Sequence, residues 1–195
     1  MRLIDRTEVL SLGDYEAIRD NFRRRVLAEK RDRRANVGDR MSVIFENRDT
    51  VLLQIQEMLR TERITSEKGI AHEIETYNDL VPGEHQLSFT LFIEVDEKEA
   101  REALLVAAAG MERHVALEVD GTAHPATLTD RAGLSDQRTS AVQYYKVDLP
   151  SEVAAKLQSR DATVALVVDH PAYTARADLS ARALAQLAAD LDEPS

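Results

Sequence analysis

LSFTLFIEVDEKEAREALLVAAAGMERHVALEVDGTAHPATLTD (residues 87–130) and SAVQYYKVDLPSEVAAKLQSRDATVALVVDHPAYTARADLS (residues 140–180) carry the same succession of signals. Each holds a strand ending in a Val–Asp pair (Val95–Asp96, Val147–Asp148), a short helix, and a second strand written VALEVD or VALVVD. A His–Pro step, at His124 or His170, then opens a third extended segment. The offset is 52 residues at the first strand and 49 at the second, so only the intervening helix changes length. Leu87, Phe89, Leu91, Ile93 and Val95 alternate with more polar residues, as do Val115, Leu117 and Val119, which is the period of a strand with one buried face. Asp120-Gly121 has the composition of a two-residue hairpin turn. Self-similarity of this kind reads as a duplicated β-α-β-β unit. Two such units are expected to share one antiparallel sheet, with both crossover helices on one face. A closing helix, capped at Ser180 and packing Leu184, Leu187 and Leu191, would join them or reach a partner, and the last four residues, DEPS, should fray.

Upstream the period changes to that of helices. Tyr15, Ile18, Phe22 and Val26 recur at three- and four-residue spacing, so one narrow stripe packs in a helix that starts at Ser11 or Gly13 and ends near Arg34. RMSVIFE (40–46) suggests a short strand. In FENRDTVLLQIQEMLRTERI (45–64), capped by Asp49 or Thr50, Val51, Leu52, Ile55, Met58 and Leu59 share a face. Steps of 100° put the carboxylate of Glu62 in line with Val51, Ile55 and Met58. A second helix, from about Ser66 to Leu80, turns Ile70, Ile74 and Tyr77 inward, and VPG (81–83) ends the helical part. The expected architecture is α+β, with a helical N-terminal lobe (1–83, one short strand) packed on the sheet and C-terminal helix of residues 84–195. No long or Gly/Ser-rich linker separates them, so one cooperative domain is expected.

Composition excludes several classes. In 195 residues there is no cysteine, which removes disulfides, thiolate nucleophiles and cysteine-bound clusters or zinc. No run of about 18 uncharged apolar residues occurs, and the N-terminus lacks a secretory apolar core, so a cytoplasmic protein without a membrane partner is expected. A net charge of −10 disfavours nucleic acid. That charge is uneven: Arg19, Arg23, Arg24, Arg25, Lys30, Arg31, Arg33, Arg34 and Arg40 crowd one segment with fewer acids among them. Such a segment is a solvated helix face or one half of a contact with an acidic surface. No glycine-rich nucleotide cradle, Gly-x-Ser-x-Gly or His-Glu-x-x-His is present.

Candidate chemistry centres on Glu46, Glu57, Glu62, Glu67 and Glu73, with His72 nearby. Carboxylates on facing helices hold di-iron and di-manganese centres, but those bundles use Glu-x-x-His motifs, and the chain has none. No metal and no cofactor is expected. Arginine forks hold carboxylates through two parallel bonds, so Arg33, Arg34, Arg60 and Arg63 are expected to tie Glu57, Glu62 and Glu73 into a polar network. His124 and His170, each before proline, point to turn geometry rather than ligation.

Four motifs carry a resemblance: Arg33-Arg34-x₃-Gly38-Asp39, Phe45-Glu46-Asn47, the helix Gln54-x-Gln56-Glu57-Met58-x-Arg60, and Tyr77-Asn78-x-Leu80-x-Pro82. With them the chain resembles the bacterial family called domain of unknown function 3501. The resemblance implies an accessory role beside rubrerythrins and iron–sulfur oxidoreductases, and it brings no catalytic residues. The expected function is therefore a non-enzymatic interaction protein, homo-oligomeric or bound to a redox partner. The alternative is a binder of small anions, or an enzyme, using Glu57, Glu62, Glu73, Arg33, Arg34 and Arg60 between lobe and sheet. Convergence of these groups on an open cleft favours the second reading; mutual pairing favours the first.

Overall fold

A computed structural model describes residues 1–129 and 137–192. Residues 193–195, and Asp130 at the end of the first of the two quoted stretches, lie outside the described residues. Helix α1 (Leu12–Asp32) leads into strands β1 (Arg34–Val37) and β2 (Met41–Glu46), then helices α2 (Arg48–Thr61) and α3 (Glu67–Asn78). The β-α-β-β order follows twice. It runs first as β3 (Gln86–Ile93), α4 (Lys98–Ala107), β4 (Val115–Val119) and β5 (Thr122–Pro125), then, after the short β6 (Thr127–Leu128), as β7 (Val142–Asp148), α5 (Ser151–Ser159), β8 (Val164–His170) and β9 (Tyr173–Asp178). Helix α6 (Ala181–Asp192) closes the chain.

The fold is α+β, and its strands form two antiparallel sheets, ordered β1-β2-β3-β7-β6 and β5-β4-β8-β9. The single sheet expected from the sequence is thus corrected. Each strand–helix–strand step leaves one sheet and enters the other. The alternating apolar residues of β3 and β7 (Leu87, Phe89, Leu91, Tyr145, Val147) then share one core with Val115, Leu117, Val164 and Leu166 of the second sheet. Burying both sheets against each other removes more apolar surface from water than two short helices on one sheet could cover. Leu91 lies opposite Gln143 in the first sheet and Leu117 opposite Leu166 in the second, the same offsets that align the two stretches of sequence.

The third strands part company. His124 lies within β5 opposite Leu117, whereas His170 ends β8 opposite Tyr173, so the two His–Pro steps do not take matching places. In the first stretch the chain bends at Ala126, whose N–H donates to Val115, and continues as β6 in the other sheet. At the opposite corner the hydroxyl of Tyr173 donates to the carbonyl of Val37. There Gly38 has φ +71°, and a Cβ would come within 2.2 Å of the Tyr173 hydroxyl, so only glycine fits.

The strand β1, hidden in the charged run, was not expected; it pairs with β2, which is buried along its whole length. Asn47, rather than Asp49 or Thr50, caps α2. Its side chain accepts from the Thr50 N–H, and the Thr50 hydroxyl accepts from the Asn47 N–H, a reciprocal pair that satisfies two helix-end donors. A second apolar cluster joins α2 and α3 to the N-terminal segment through Val51, Ile55, Leu59, Ile70, Ile74 and Tyr77, with Tyr144 of β7 against it. The helices thereby cover the outer face of the first sheet.

Candidate interaction site

Helix α1 packs by one narrow edge against α2 and α6. Tyr15 and Val26 are fully buried, while Ile18, expected on that stripe, is 45% exposed. Most of the inward contact is ionic. The Tyr15 hydroxyl donates to Glu57 at 2.6 Å, and Arg19 grips the same carboxylate with two bonds of 2.7 and 2.9 Å. These bonds, that from Arg19 foremost, hold the Glu57 carboxyl below the usual glutamate range. One turn away Arg60 returns from α2 to Glu16 at 2.7 Å, and Arg25 pairs with Asp49.

Arg33 follows the last turn of α1 and is 2% exposed. Its fork takes both oxygens of Asp190 on α6, at 2.5 and 2.7 Å, and its Nε donates to Glu29 at 2.8 Å. Asn47 also donates to Glu29, at 2.6 Å. Burial pushes the Asp190 carboxyl above its ordinary range, against the pull of Arg33. Arg34, next in sequence, points the other way on β1 and donates to Ser42 at 2.7 Å and Glu94 at 2.5 Å.

The six residues singled out from sequence therefore fall in several places. Glu57 and Arg60 share the α1–α2 seam, but each has its own partner on α1. Arg33 is in the α1–α6 seam and Arg34 at the edge of the first sheet. Glu62 is not on the apolar stripe: α2 ends at Thr61, and Glu62 is its exposed C-cap. Neither Glu62 nor the half-buried Glu73 makes a side-chain bond among the described residues. The residues that sequence reasoning missed are the partners: Tyr15, Glu16, Arg19, Glu29, Asp190 and, for Glu67, Arg6, which holds it by two bonds of 2.8 Å. Of these pairings, that of Glu29 with Arg33, four apart at the end of α1, had a readable spacing.

The lowered pKa of Glu57 has a signed consequence. Stability from its ionised form is present in full above about pH 4.5, the ordinary value, and is lost as pH falls through the lowered value of the folded state. Glu57→Gln should therefore unfold at lower urea than the parent at neutral pH, with the gap closing well below pH 4.5. A gap that stays constant with pH would remove the ion pair from this explanation.

The outward side of α1 is different. Leu27 is 36% exposed. Its neighbours one turn before and after are Arg23, Arg24, Lys30 and Arg31, and residues three and four apart on a helix stand side by side. Arg23, Lys30 and Arg31 have no carboxylate partner among the described residues, and Arg24 reaches only the amide oxygen of Asn21. The acids on this stripe lie at its start: Asp20 sits 4.0 Å from Arg19, and Glu16 is already held by Arg60. Between residues 19 and 40 the chain has nine bases and four acids, within a protein of net charge −10.

Among the described residues, no three histidine, aspartate or glutamate side chains gather as a metal ion would need, and no helix is long and apolar enough to cross a membrane. A family model described as "Protein of unknown function (DUF3501)" matches residues 3–191. A crystal structure of a novel protein of unknown function from Burkholderia pseudomallei superimposes with a TM-score of 0.91 at 33% sequence identity, covering 98% of this chain and 100% of that one. Among curated proteins none matches.

Proposed function

The chain belongs to the DUF3501 family, and we propose that it is a non-catalytic interaction protein whose α1 helix docks an acidic partner protein. The observation that supports this reading is the framing of exposed Leu27 by four basic side chains that no acid among the described residues neutralises. A single exposed leucine is ordinary. Set among three arginines and a lysine, it matches the usual anatomy of a docking helix, an apolar anchor inside a charged rim. Arginine is also the cation most often found at energetic centres of interfaces.

The competing reading, catalysis or anion binding by Glu57, Glu62, Glu73, Arg33, Arg34 and Arg60, has less support, because Glu57 and the three arginines spend their bonds on separate neighbours outside this set, so the six groups do not converge. A second copy of the chain is also a poor occupant. Two chains of charge −10 repel, and a basic face on an acidic face of an identical chain makes a contact that does not close into a dimer. A redox protein would be one acidic partner of the required kind, although neither the family description nor the Burkholderia structure names one.

The test is affinity capture with the intact chain and with Arg23→Glu/Arg24→Glu/Arg31→Glu, whose sites are all exposed. The parent should retain an acidic protein, released as ionic strength rises, and the triple variant should lose it by about tenfold or more, the scale of several rim charges acting together. Equal recovery by both chains, or recovery of basic proteins or of the chain itself, would overturn the proposal.

A further inference from the structure

A row of polar side chains crosses the outer face of the first sheet. Glu46 on β2 lies opposite Ser88 on β3, Ser88 opposite Lys146 on β7, and Lys146 opposite Thr127 on β6. Directly opposed residues in antiparallel strands share a face. The Glu46 end is closed: this residue is 2% exposed and accepts from the Thr90 hydroxyl at 2.6 Å and the Gln54 amide at 3.1 Å. The Lys146 end opens into a cleft of about 270 Å³, walled by Lys146, Thr127, Thr129, Gln86, Asp148 and Asp79 among others.

Two groups at this end, Lys146 and Thr129, and one in the row behind it, Ser88, are unsatisfied. The ammonium of half-buried Lys146 has no ion-pair partner among the described residues. Asp148 is on the same strand two residues on, but it accepts from the Gln86 amide at 2.8 Å. The hydroxyl of Ser88, a residue 1% exposed, and that of Thr129 are buried with no partner, which is uncommon in folded chains. The other wall is negative. Asp79 is the C-cap of α3, where the last carbonyls of the helix add partial negative charge.

We propose that this cleft binds a small zwitterion of the amino-acid type, its carboxylate on Lys146 with the threonine hydroxyls and its ammonium toward Asp148 and Asp79. A simple anion would take Lys146 and leave the two aspartates repelling it. A simple amine would meet the aspartates and leave Lys146 beside it. A molecule carrying both charges a few bonds apart satisfies both walls. The volume, near the lower bound of roughly 300–1,000 Å³ usual for ligand pockets, suits a ligand of that size. The inference shares no residue with the α1 surface.

The experiment is an NMR titration of the intact chain with each of the common α-amino acids, and with acetate, methylamine and inorganic phosphate as singly functional controls. At least one amino acid should give saturable shifts confined to Thr127, Thr129, Lys146 and their neighbours. Lys146→Met and Asp148→Asn should each weaken it about tenfold or more, the loss of one charge-assisted contact. The proposal is overturned if no amino acid saturates, if acetate or phosphate binds as tightly, or if either variant leaves the affinity unchanged. The amide spectrum away from the cleft verifies that both variants are folded.

Discussion

Arg33→Met should destabilise the protein by about 3–5 kcal/mol, the scale for removing one partner of a buried ion pair. The side chain is 2% exposed and joins α1 to α6 through Asp190 and, within α1, to Glu29. Methionine fills much of the space but leaves Asp190, itself 7% exposed, without a counter-ion. An unpaired buried carboxylate must take up a proton or draw in water, and either weakens the seat of α6. Adding Asp190→Leu should restore part of the loss, because the pair's own worth is small once its desolvation is counted. Urea midpoints of the parent, single and double variants measure this directly. A single variant within about 1 kcal/mol of the parent would show that water reaches the pair.

Phe89→Ala is expected to cost a similar amount, about 3–5 kcal/mol, for a different reason. Phe89 is fully buried at the middle of β3, the central strand of the first sheet. Its ring meets Phe45 edge-on at 5.6 Å and stacks on Tyr145 at 5.2 Å, so it links β2, β3 and β7 within the core that the two sheets share. Truncation leaves a cavity where three strands come together, and the flanking rings are held by their own strands and cannot collapse into it. Since β2 belongs to the N-terminal part and β7 to the later part, a single unfolding transition should survive at the lower midpoint. Two separated transitions would mean that the parts fold independently.

Where residues alternate or recur at helical spacing, the sequence was legible. The apolar stripes of α2 and α3, the start of α3 near Ser66, and the strands β2, β3, β4, β7 and β8 all follow from local pattern. Strand pairing does not. Alternation says which side of a strand is apolar but not which strand lies beside it, and so one sheet was expected where two exist. Glu62 was misplaced because a helical wheel continues past the true end of a helix; α2 stops one residue earlier. The matching of His124 with His170 failed because the hairpin of the second stretch turns later, at Pro171-Ala172, than the Asp120-Gly121 turn of the first.

The polar site was less legible than the fold. Arg33 stands among exposed basic residues and looks like one of them, yet its partner lies 157 residues away. Asp190, inside the apolar run ALAQLAADL, was the available hint of a buried acid. The basic clustering itself was plain. What the structure adds is the division between arginines that face inward to acids and those that surround Leu27.

The most direct measurement is photocrosslinking from position 27, with a benzophenone side chain in place of Leu27 and a control at exposed Val106. Crosslinks from position 27 alone, to an acidic surface of one protein and suppressed by salt, are the outcome expected if α1 is the docking element. Crosslinks equally frequent from both positions, or from position 27 only to another copy of the chain, would contradict it.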